Sequence, residues 1–187
     1  MATHVPRAHR AIALWDCFYR RWHHLDAPPS KIPPLLSLSP ERTWRPHRLA
    51  DGTTLRRGDP YGELHLDNAS VMALRQHGLS SVQLGLKFRH ELRASLMMLA
   101  RLSSDHERFA ALVAFSAITI FHQGLARLGF EVETDGLITP RVTGAYQHAL
   151  LLSLGACPGE HRSACARRLW ISRCRLRALY GSPRRAS

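Results

Sequence analysis

Lysine is nearly absent from this sequence: Lys31 and Lys87 are the only two among 26 basic residues, so the other 24 are arginines. Set against 14 acidic residues, they leave a formal net charge of +12. A charge of this size attracts phosphate groups, nucleic acid and anionic lipid whatever its origin. A GC-rich genome also favours arginine, so the excess fits genome bias as well as it fits an anionic partner.

Long apolar runs are also missing. A membrane-spanning helix needs about 20 apolar residues, and the longest stretch here, 110–121, is shorter and contains Ser116 and Thr119. The apolar stretch 11–14 is followed at once by Asp16, which is not the pattern of a secretory signal. We therefore expect a cytoplasmic protein. With 187 residues, 45% of them hydrophobic, one domain with one core is predicted over 1–187.

The four cysteines contain no CxxC pair, and a cytoplasmic location argues against disulfides. Cys157, His161, Cys165 and Cys174 resemble a zinc set, but their spacings are wider than zinc sites normally use. The GxSxG, P-loop, HExxH and GxGxxG motifs are absent too. The sequence therefore predicts neither a metal site nor a cofactor.

Hydrophobic periodicity predicts an amphipathic helix over 9–24, with Trp15 and Trp22 on its apolar face. Docking on the core is favoured over contact with a membrane interface. Six prolines between 26 and 46 predict an extended surface connection that contains neither a helix nor a central strand. The core is expected at 47–181, followed by a basic tail at 182–187.

Within the core, Asp51-Gly52 between two short strand-like runs predicts a β-hairpin. A second turn is expected at 58–60, a strand at 61–67, and helices over 68–76 and 82–102. Residues 111–117 favour a strand, followed by a helix over 119–128 that ends at Gly129. A strand over 130–134, a helix over 140–154 and a strand over 168–171 before a helix capped by Ser172 complete the pattern. The predicted class is α+β: a small, mostly antiparallel sheet, with this hairpin, packed against several helices.

Strand alternation puts Glu63, His65 and Asp67 on one face of the predicted strand 61–67. A histidine flanked by carboxylates can act as a general base with an orienting acid, or as part of a metal site. The structural alternative carries more weight: an edge strand ordinarily shows a polar face to water, and Asp67 or Asn68 caps the following helix.

Two further positions are candidates for ligand binding. Thr119 and His122 lie at the head of a predicted helix, where α/β proteins often bind ligands, although a satisfied core histidine is the more common explanation. Arg93 on the long helix could reach an anionic ligand, but a pairing with Glu91 or another acid is favoured. Asn68 completes the set of candidate ligand-binding residues.

The chain resembles the YkoP-like family, a bacterial domain found alone or joined to polysaccharide deacetylase domains. The resemblance covers nearly the whole length. It rests on Trp15-Asp16, Tyr19-Arg20-Arg21, Asp51-Gly52, Gly58-Asp59, Glu63-Leu64-His65-Leu66-Asp67-Asn68, Thr119, Leu128-Gly129-Phe130-Glu131-Val132, Ser172, Leu176 and Tyr180-Gly181. It implies a link to cell-envelope polysaccharide or glycolipid metabolism and supplies no established catalytic residues. Deacetylation is not transferred, because the catalytic domain is missing from this chain.

Three functions follow as hypotheses. The first is an accessory domain that binds an anionic ligand, a glycan or a lipid phosphate on the face carrying His65. The second is a small enzyme that uses His65 with Glu63 or Asp67 as an acid–base pair, helped by Arg93 or Thr119. The third is a basic protein that attaches peripherally to membranes. Nucleic-acid binding has only the charge in its favour, since no motif of stacking aromatic residues accompanies it.

Overall fold

The computed structural model of this chain describes residues 30–75, 79–119, 122–133 and 166–181. Its strands are β1 (Lys31–Ile32), β2 (Leu36–Arg42), β3 (His47–Arg48), β4 (Thr54–Leu55), β5 (Pro60–Leu66), β6 (Ala114–Thr119), β7 (Glu131–Val132) and β8 (Arg167–Ser172). Its helices are α1 (Asn68–Arg75), α2 (Ser81–Asp105), α3 (Glu107–Ala110), α4 (His122–Ala126) and α5 (Arg173–Tyr180).

The strands form one six-stranded sheet and one separate hairpin. The order in the large sheet is β1-β2-β5-β6-β8-β7, and β5 and β6 are its parallel pair, while the other neighbours are antiparallel. Strands β3 and β4 pair around Asp51-Gly52. The predicted α+β class, with its mostly antiparallel sheet, hairpin and packed helices, is confirmed.

One face of the large sheet is apolar and packs against the helices. Strand alternation directs Leu38, Leu64 and Phe115 to this face, where they are nearly inaccessible to solvent. The long helix α2 covers them with the predicted seam: Leu92, Leu96 and Leu99 are buried, and Phe88 is half-buried beside them. Burying these side chains is the main favourable contribution to the fold, at about 1.5 to 3 kcal/mol for each fully buried one.

Side chains at the helix starts explain where the helices begin. Ser80 accepts a hydrogen bond from the Gln83 backbone at 3.3 Å, and the Gln83 side chain accepts one from the Ser80 backbone at 3.0 Å. Ser172 caps α5 as predicted, since its Oγ accepts from the Arg175 backbone at 2.9 Å. Asp67 lies at the start of α1 and accepts from Ser70 Oγ at 2.8 Å.

The Asp51-Gly52 hairpin is held onto the large sheet at its turn and along its strands. Asp51 accepts hydrogen bonds from the Thr53 backbone at 3.0 Å and from Ser172 Oγ, and Gly52 has a left-handed φ of 86°. Burial would raise the pKa of Asp51, but the hydrogen bonds from Ser172 and Thr53 outweigh it and lower that pKa. The hairpin thereby connects directly to the cap of α5.

The prediction that 26–46 contains no central strand was wrong. Residues 36–42 form β2, which lies between β1 and β5 and is buried from Leu36 to Ser39. The prolines are accommodated at specific places: Pro33 and Pro34 form the turn between β1 and β2. Pro40 lies past the two-residue β1, where β2 has a described neighbour on one side only, and proline is tolerated at such an edge.

The boundary between β6 and α4 also differs from the prediction. Thr119 is the last residue of the strand rather than the head of a helix, and α4 spans 122–126 instead of 119–128. Gly129 follows with a left-handed φ of 95°, as expected for a residue just beyond a helix. The helices predicted over 9–24 and 140–154 and the tail at 182–187 lie outside the described residues.

Candidate functional site

The second face of the large sheet carries polar side chains beside an apolar cluster that contains Tyr61, Ala114 and Trp170. The register places Ser39, Glu63, Ser116 and Trp170 side by side across β2, β5, β6 and β8. In the adjacent row, Ser37 pairs with His65, and Ile118 pairs with Arg168. Glu133 follows β7 and donates its backbone N–H to the Arg168 carbonyl at 2.9 Å. We call Ser37, Ser39, Glu63, His65, Ser116, Glu133 and Arg168 the polar sheet face.

Arg168 is the centre of this face. Its Nη1 lies 3.1 Å from Ser116 Oγ, 3.4 Å from Glu63 Oε2 and 3.4 Å from the Tyr61 hydroxyl. Its Nε lies 3.9 Å from Glu133 Oε2. Charge-assisted hydrogen bonds are normally about 2.7 to 2.9 Å long, so these contacts are loose. Among the described residues, no hydrogen-bond acceptor for Nη2 is found.

Glu133 connects the face to the loop that precedes β3. Its Oε1 accepts from Arg45 Nη2 at 2.7 Å, and its Oε2 accepts from Trp170 Nε1 at 3.1 Å. The side chain is only 5% exposed, whereas that of Arg45 is 41% exposed. Glu133 is therefore a nearly buried carboxylate that faces Arg45 from the loop before β3 and both Trp170 and Arg168 from β8.

Burial and charge together set the protonation states. Burial raises the pKa of Tyr61 to about 12, with the Glu63 charge adding to the effect and Arg168 opposing it. Burial would lower the pKa of Arg168, but Glu63, Tyr61 and Glu133 more than offset this and raise it. At neutral pH the face thus carries a charged guanidinium and a neutral phenol, whose hydroxyl donates to Glu63 Oε2 at 3.3 Å.

At the β2 side of the face, His65 Nε2 lies 2.9 Å from Ser39 Oγ. Ser37, which pairs with His65 across the two strands, is 2% exposed, and its Oγ has no hydrogen-bond partner. Buried hydroxyl groups nearly always have a partner. Two groups of the polar sheet face can therefore make further hydrogen bonds: the Arg168 guanidinium and the Ser37 hydroxyl.

The sequence prediction for Glu63 and His65 is confirmed in its geometry: both lie on the same face of β5, and Leu64 lies on the other. Asp67 follows the last residue of β5, Leu66, and its carboxylate accepts a hydrogen bond from Ser70 Oγ at the start of α1. The strand is also not at an edge. It lies between β2 and β6, so its polar residues are half-buried.

The other candidate residues lie elsewhere. Arg93 lies with its guanidinium 5.7 Å from the ring centre of Tyr180 in α5, on the helix side of the sheet. This stacking, rather than the favoured pairing with an acid, is its interaction in the structure. Thr119 is buried at the end of β6, in the same alternation as Phe115 and so turned away from the polar face. The structure does not bring either residue to His65.

His122 and Asn68 begin helices. His122 is half-buried as the first residue of α4, and its Nδ1 is buried without a hydrogen-bond partner, so the satisfied core histidine predicted for this position is not found. Asn68 is the first residue of α1. The two lie in separate helices.

Sequence reasoning missed Arg168, Glu133, Ser39 and Ser116. Arg168 had a detectable signal, since it precedes Trp170 by two residues in a predicted strand and therefore shares its face. Glu133 and the serines had none, because only the pairing of distant strands brings the serines beside Glu63 and Glu133 beside Arg168. In the described ranges, no three His, Cys, Asp or Glu side chains are grouped so that they could hold a metal ion. No described helix is long and apolar enough to cross a membrane.

Comparison with known proteins gives one family. The family model described as the YkoP domain matches residues 8–180. The uncharacterized protein YkoP of Bacillus subtilis (strain 168) is 29% identical over 86 residues, which make up 46% of this chain and 47% of that protein. The match thus spans about half the length of this relative. No solved structure is significantly similar.

Proposed function

This chain belongs to the YkoP domain family, and on that basis we propose that it is a ligand-binding or accessory domain whose site is the polar sheet face. The expected ligand is rich in oxygen: a glycan, or the phosphate-bearing head group of a glycolipid. The context is cell-envelope polysaccharide or glycolipid metabolism, which the resemblance to domains joined to polysaccharide deacetylases suggests.

The observation that carries the proposal is that the N–H donors of Arg168 make few and mostly long hydrogen bonds within the described chain. Its side chain is 13% exposed and that of Glu63 is 16% exposed, so ligand atoms can reach both. A guanidinium has five N–H donors, and here they make one contact of 3.1 Å and several longer ones. Ligand hydroxyl or phosphate oxygens can therefore bind Arg168, while Glu63 accepts from ligand hydroxyl groups.

Isothermal titration calorimetry tests the proposal with neutral oligosaccharides, anionic oligosaccharides and short-chain lipid phosphates. We expect saturable binding to one of these classes. His65→Ala and Arg168→Lys should each weaken it about tenfold, which corresponds to about 1.4 kcal/mol. Lysine retains the charge at 168 but not the planar fork of donors.

The matched control is His90→Ala, since His90 is exposed on α2 and makes none of the described contacts of the site. This variant should bind as the unsubstituted protein does. Melting curves of all variants show whether each is folded. Indifference to all three ligand classes would contradict the proposal, and so would equal effects of His65→Ala and His90→Ala.

A hydrolytic function is the second candidate, because a serine hydroxyl 2.9 Å from a histidine ring nitrogen is the arrangement that activates a nucleophile. In this arrangement His65 Nε2 accepts the Ser39 proton as the oxygen attacks an acyl carbon, and it returns that proton to the leaving group as the bond between the acyl carbon and the leaving group breaks. Ser39 is only 3% exposed, which makes this function the weaker candidate.

A serine-reactive fluorophosphonate probe tests this second function directly. Labelling that Ser39→Ala abolishes and Ser37→Ala leaves intact is the expected result for an activated Ser39. Ser37 is a matched control because it lies on the same strand and the same face. Absence of labelling in the folded protein would remove the hydrolytic candidate.

A further inference from the structure

Trp44 stands out on the surface of this protein. It is 73% exposed, and among the described large hydrophobic side chains that are exposed it is the one aromatic residue. Exposure of an indole ring to water is unfavourable. Tryptophan is most favourable where an apolar environment meets a polar one. An exposed tryptophan of this kind marks a contact surface when its surroundings hold it in place.

The chain around Trp44 is held by hydrogen bonds to the turn that follows β4. The Thr43 backbone N–H donates to the Asp59 carbonyl at 3.0 Å, and the Gly58 N–H donates to the Thr43 carbonyl at 2.7 Å. Thr43 Oγ1 also donates to the Arg56 carbonyl. Trp44 therefore projects from a fixed loop, so that its insertion into a partner costs little conformational entropy.

The Arg45 guanidinium lies 5.4 Å from the centre of the Trp44 ring, and further arginines lie near Trp44 in the sequence. Between 41 and 59 the chain contains five arginines and three acids. Arg45 is paired with Glu133. The other four are exposed, and no ion pair joins them to the rest of the described chain. We call Arg42, Trp44, Arg48, Arg56 and Arg57 the basic loop surface.

The register of the hairpin puts Arg48 on its outer side. Leu49 and Leu55 face inward against Trp170, and His47 stacks on the Trp170 ring with centroids 5.4 Å apart. Arg48 alternates with them and so faces outward. Arg42 donates from Nη1 to the Gly58 carbonyl at 2.8 Å, which places it at the same turn as Arg56 and Arg57.

The three acidic residues of this segment offset only part of the positive charge of the basic loop surface. Asp51 lies at the hairpin tip, where it is bonded to Ser172, and Asp59 accepts from the Arg56 backbone at 2.6 Å. Glu41 is half-buried in β2. Four exposed arginines and one exposed tryptophan therefore remain in the segment 42–57 of a chain whose net charge is +12.

From this arrangement we propose that the basic loop surface docks on an anionic lipid bilayer, with Trp44 inserted at the level of the head groups and the arginines bound to lipid phosphates. The proposal concerns a different surface from the polar sheet face and does not depend on it. A lipid surface is favoured over single-stranded nucleic acid, because nucleic-acid grooves stack successive bases on several aromatic residues, and this surface has one.

Co-sedimentation with vesicles tests the docking. We expect binding to phosphatidylcholine vesicles that contain about 30% phosphatidylglycerol, and little binding to pure phosphatidylcholine, at about 0.1 M salt. Raising the salt to about 0.5 M should release the protein, because screening shortens the range of the attraction. Arg56→Ala/Arg57→Ala should weaken partitioning about 20-fold or more, at about fivefold for each arginine.

Trp44→Ala should weaken partitioning by on the order of tenfold, and Trp44→Phe by less, because phenylalanine retains much of the apolar area. The matched control is Arg101→Ala/Arg108→Ala, which removes the same charge from exposed positions on α2 and α3. This control should change partitioning less than about threefold.

Three results would overturn the proposal. The first is an equal loss for the two double variants, which would mean that total charge alone drives binding. The second is a Trp44→Ala variant that partitions as the unsubstituted protein does. The third is failure to bind anionic vesicles together with binding of a single-stranded oligonucleotide that depends on Trp44, which would assign the surface to nucleic acid.

Discussion

Glu133→Ala is expected to lower the free energy of unfolding by about 3 to 4 kcal/mol, within the range of about 3 to 5 kcal/mol found when one partner of a buried ion pair is removed. The carboxylate is only 5% exposed and lies among Arg45, Arg168 and Trp170. Its loss leaves the Trp170 N–H without an acceptor in a site that is 5% exposed. It also removes one of the two carboxylates that offset the charge of Arg168.

The three donors are not expected to contribute equally. Arg45 is 41% exposed and can turn toward water when its partner is lost, so its share should be small. Trp170 and Arg168 can do so much less, because the Trp170 ring is packed in a core cluster and the Arg168 side chain is only 13% exposed. Most of the loss should therefore come from these two buried donors.

Chemical denaturation of Glu133→Ala, Glu133→Gln and Arg45→Ala separates these contributions. Glutamine keeps an acceptor for Trp170 and removes the charge, so it should cost roughly half as much as alanine. Arg45→Ala should cost less than about 1 kcal/mol. A loss of about 3 kcal/mol would lower the melting temperature by about 6 to 12 °C. A Glu133→Ala variant within about 1 kcal/mol of the unsubstituted protein would show that the carboxylate is hydrated, contrary to the structure.

The elements that the sequence predicted well are those whose signals are local. The hairpin follows from Asp51-Gly52, and α5 from the cap at Ser172, where a short motif specifies the backbone without help from distant residues. The seam of α2 follows from helical periodicity over its 25 residues. Each of these was confirmed at nearly the predicted residues.

Strand β2 could not be predicted in the same way, because its prolines contradict the local signal for a strand. What makes 36–42 a strand is the pairing with β5 on one side and the short length of β1 on the other. Both features belong to the tertiary structure. A proline in a strand is tolerated where one side lacks a neighbour, and no single sequence shows where that is.

In the candidate site, too, the local pattern was predictable from the sequence and the pairing of distant segments was not. Alternation within β5 placed Glu63 and His65 on one face, and the structure agrees. Their partners come from strands far away in sequence: Ser39 is 26 residues from His65, and Arg168 is 105 residues from Glu63. The carboxylate and the histidine predicted as a pair have different described partners, since Glu63 faces Arg168 and Tyr61 while His65 faces Ser39.

Gly62→Val is expected to cost about 2 to 3 kcal/mol, because the centre of β5 has no room for a side chain on its apolar face. A Cβ atom at position 62 would lie 2.6 Å from Leu38 Cδ1 and 2.9 Å from Phe115 Cδ1. Both neighbours are fully buried and cannot move aside into solvent. The strand preference of valine recovers at most about 1 kcal/mol of this cost.

Equilibrium unfolding of a small set of variants checks this explanation. Gly62→Ala should cost about 1 to 2 kcal/mol, less than valine because it adds one carbon. Leu38→Val combined with Gly62→Ala should lose less than the sum of the two single changes, since shortening Leu38 opens the space that the new Cβ needs. Gly85→Ala serves as the control, because Gly85 lies in α2 with nothing within 4 Å, and it should stabilise the protein by up to about 1 kcal/mol. If the pair of changes at 38 and 62 were simply additive, the cost at Gly62 would come from the backbone of β5 rather than from contact with Leu38.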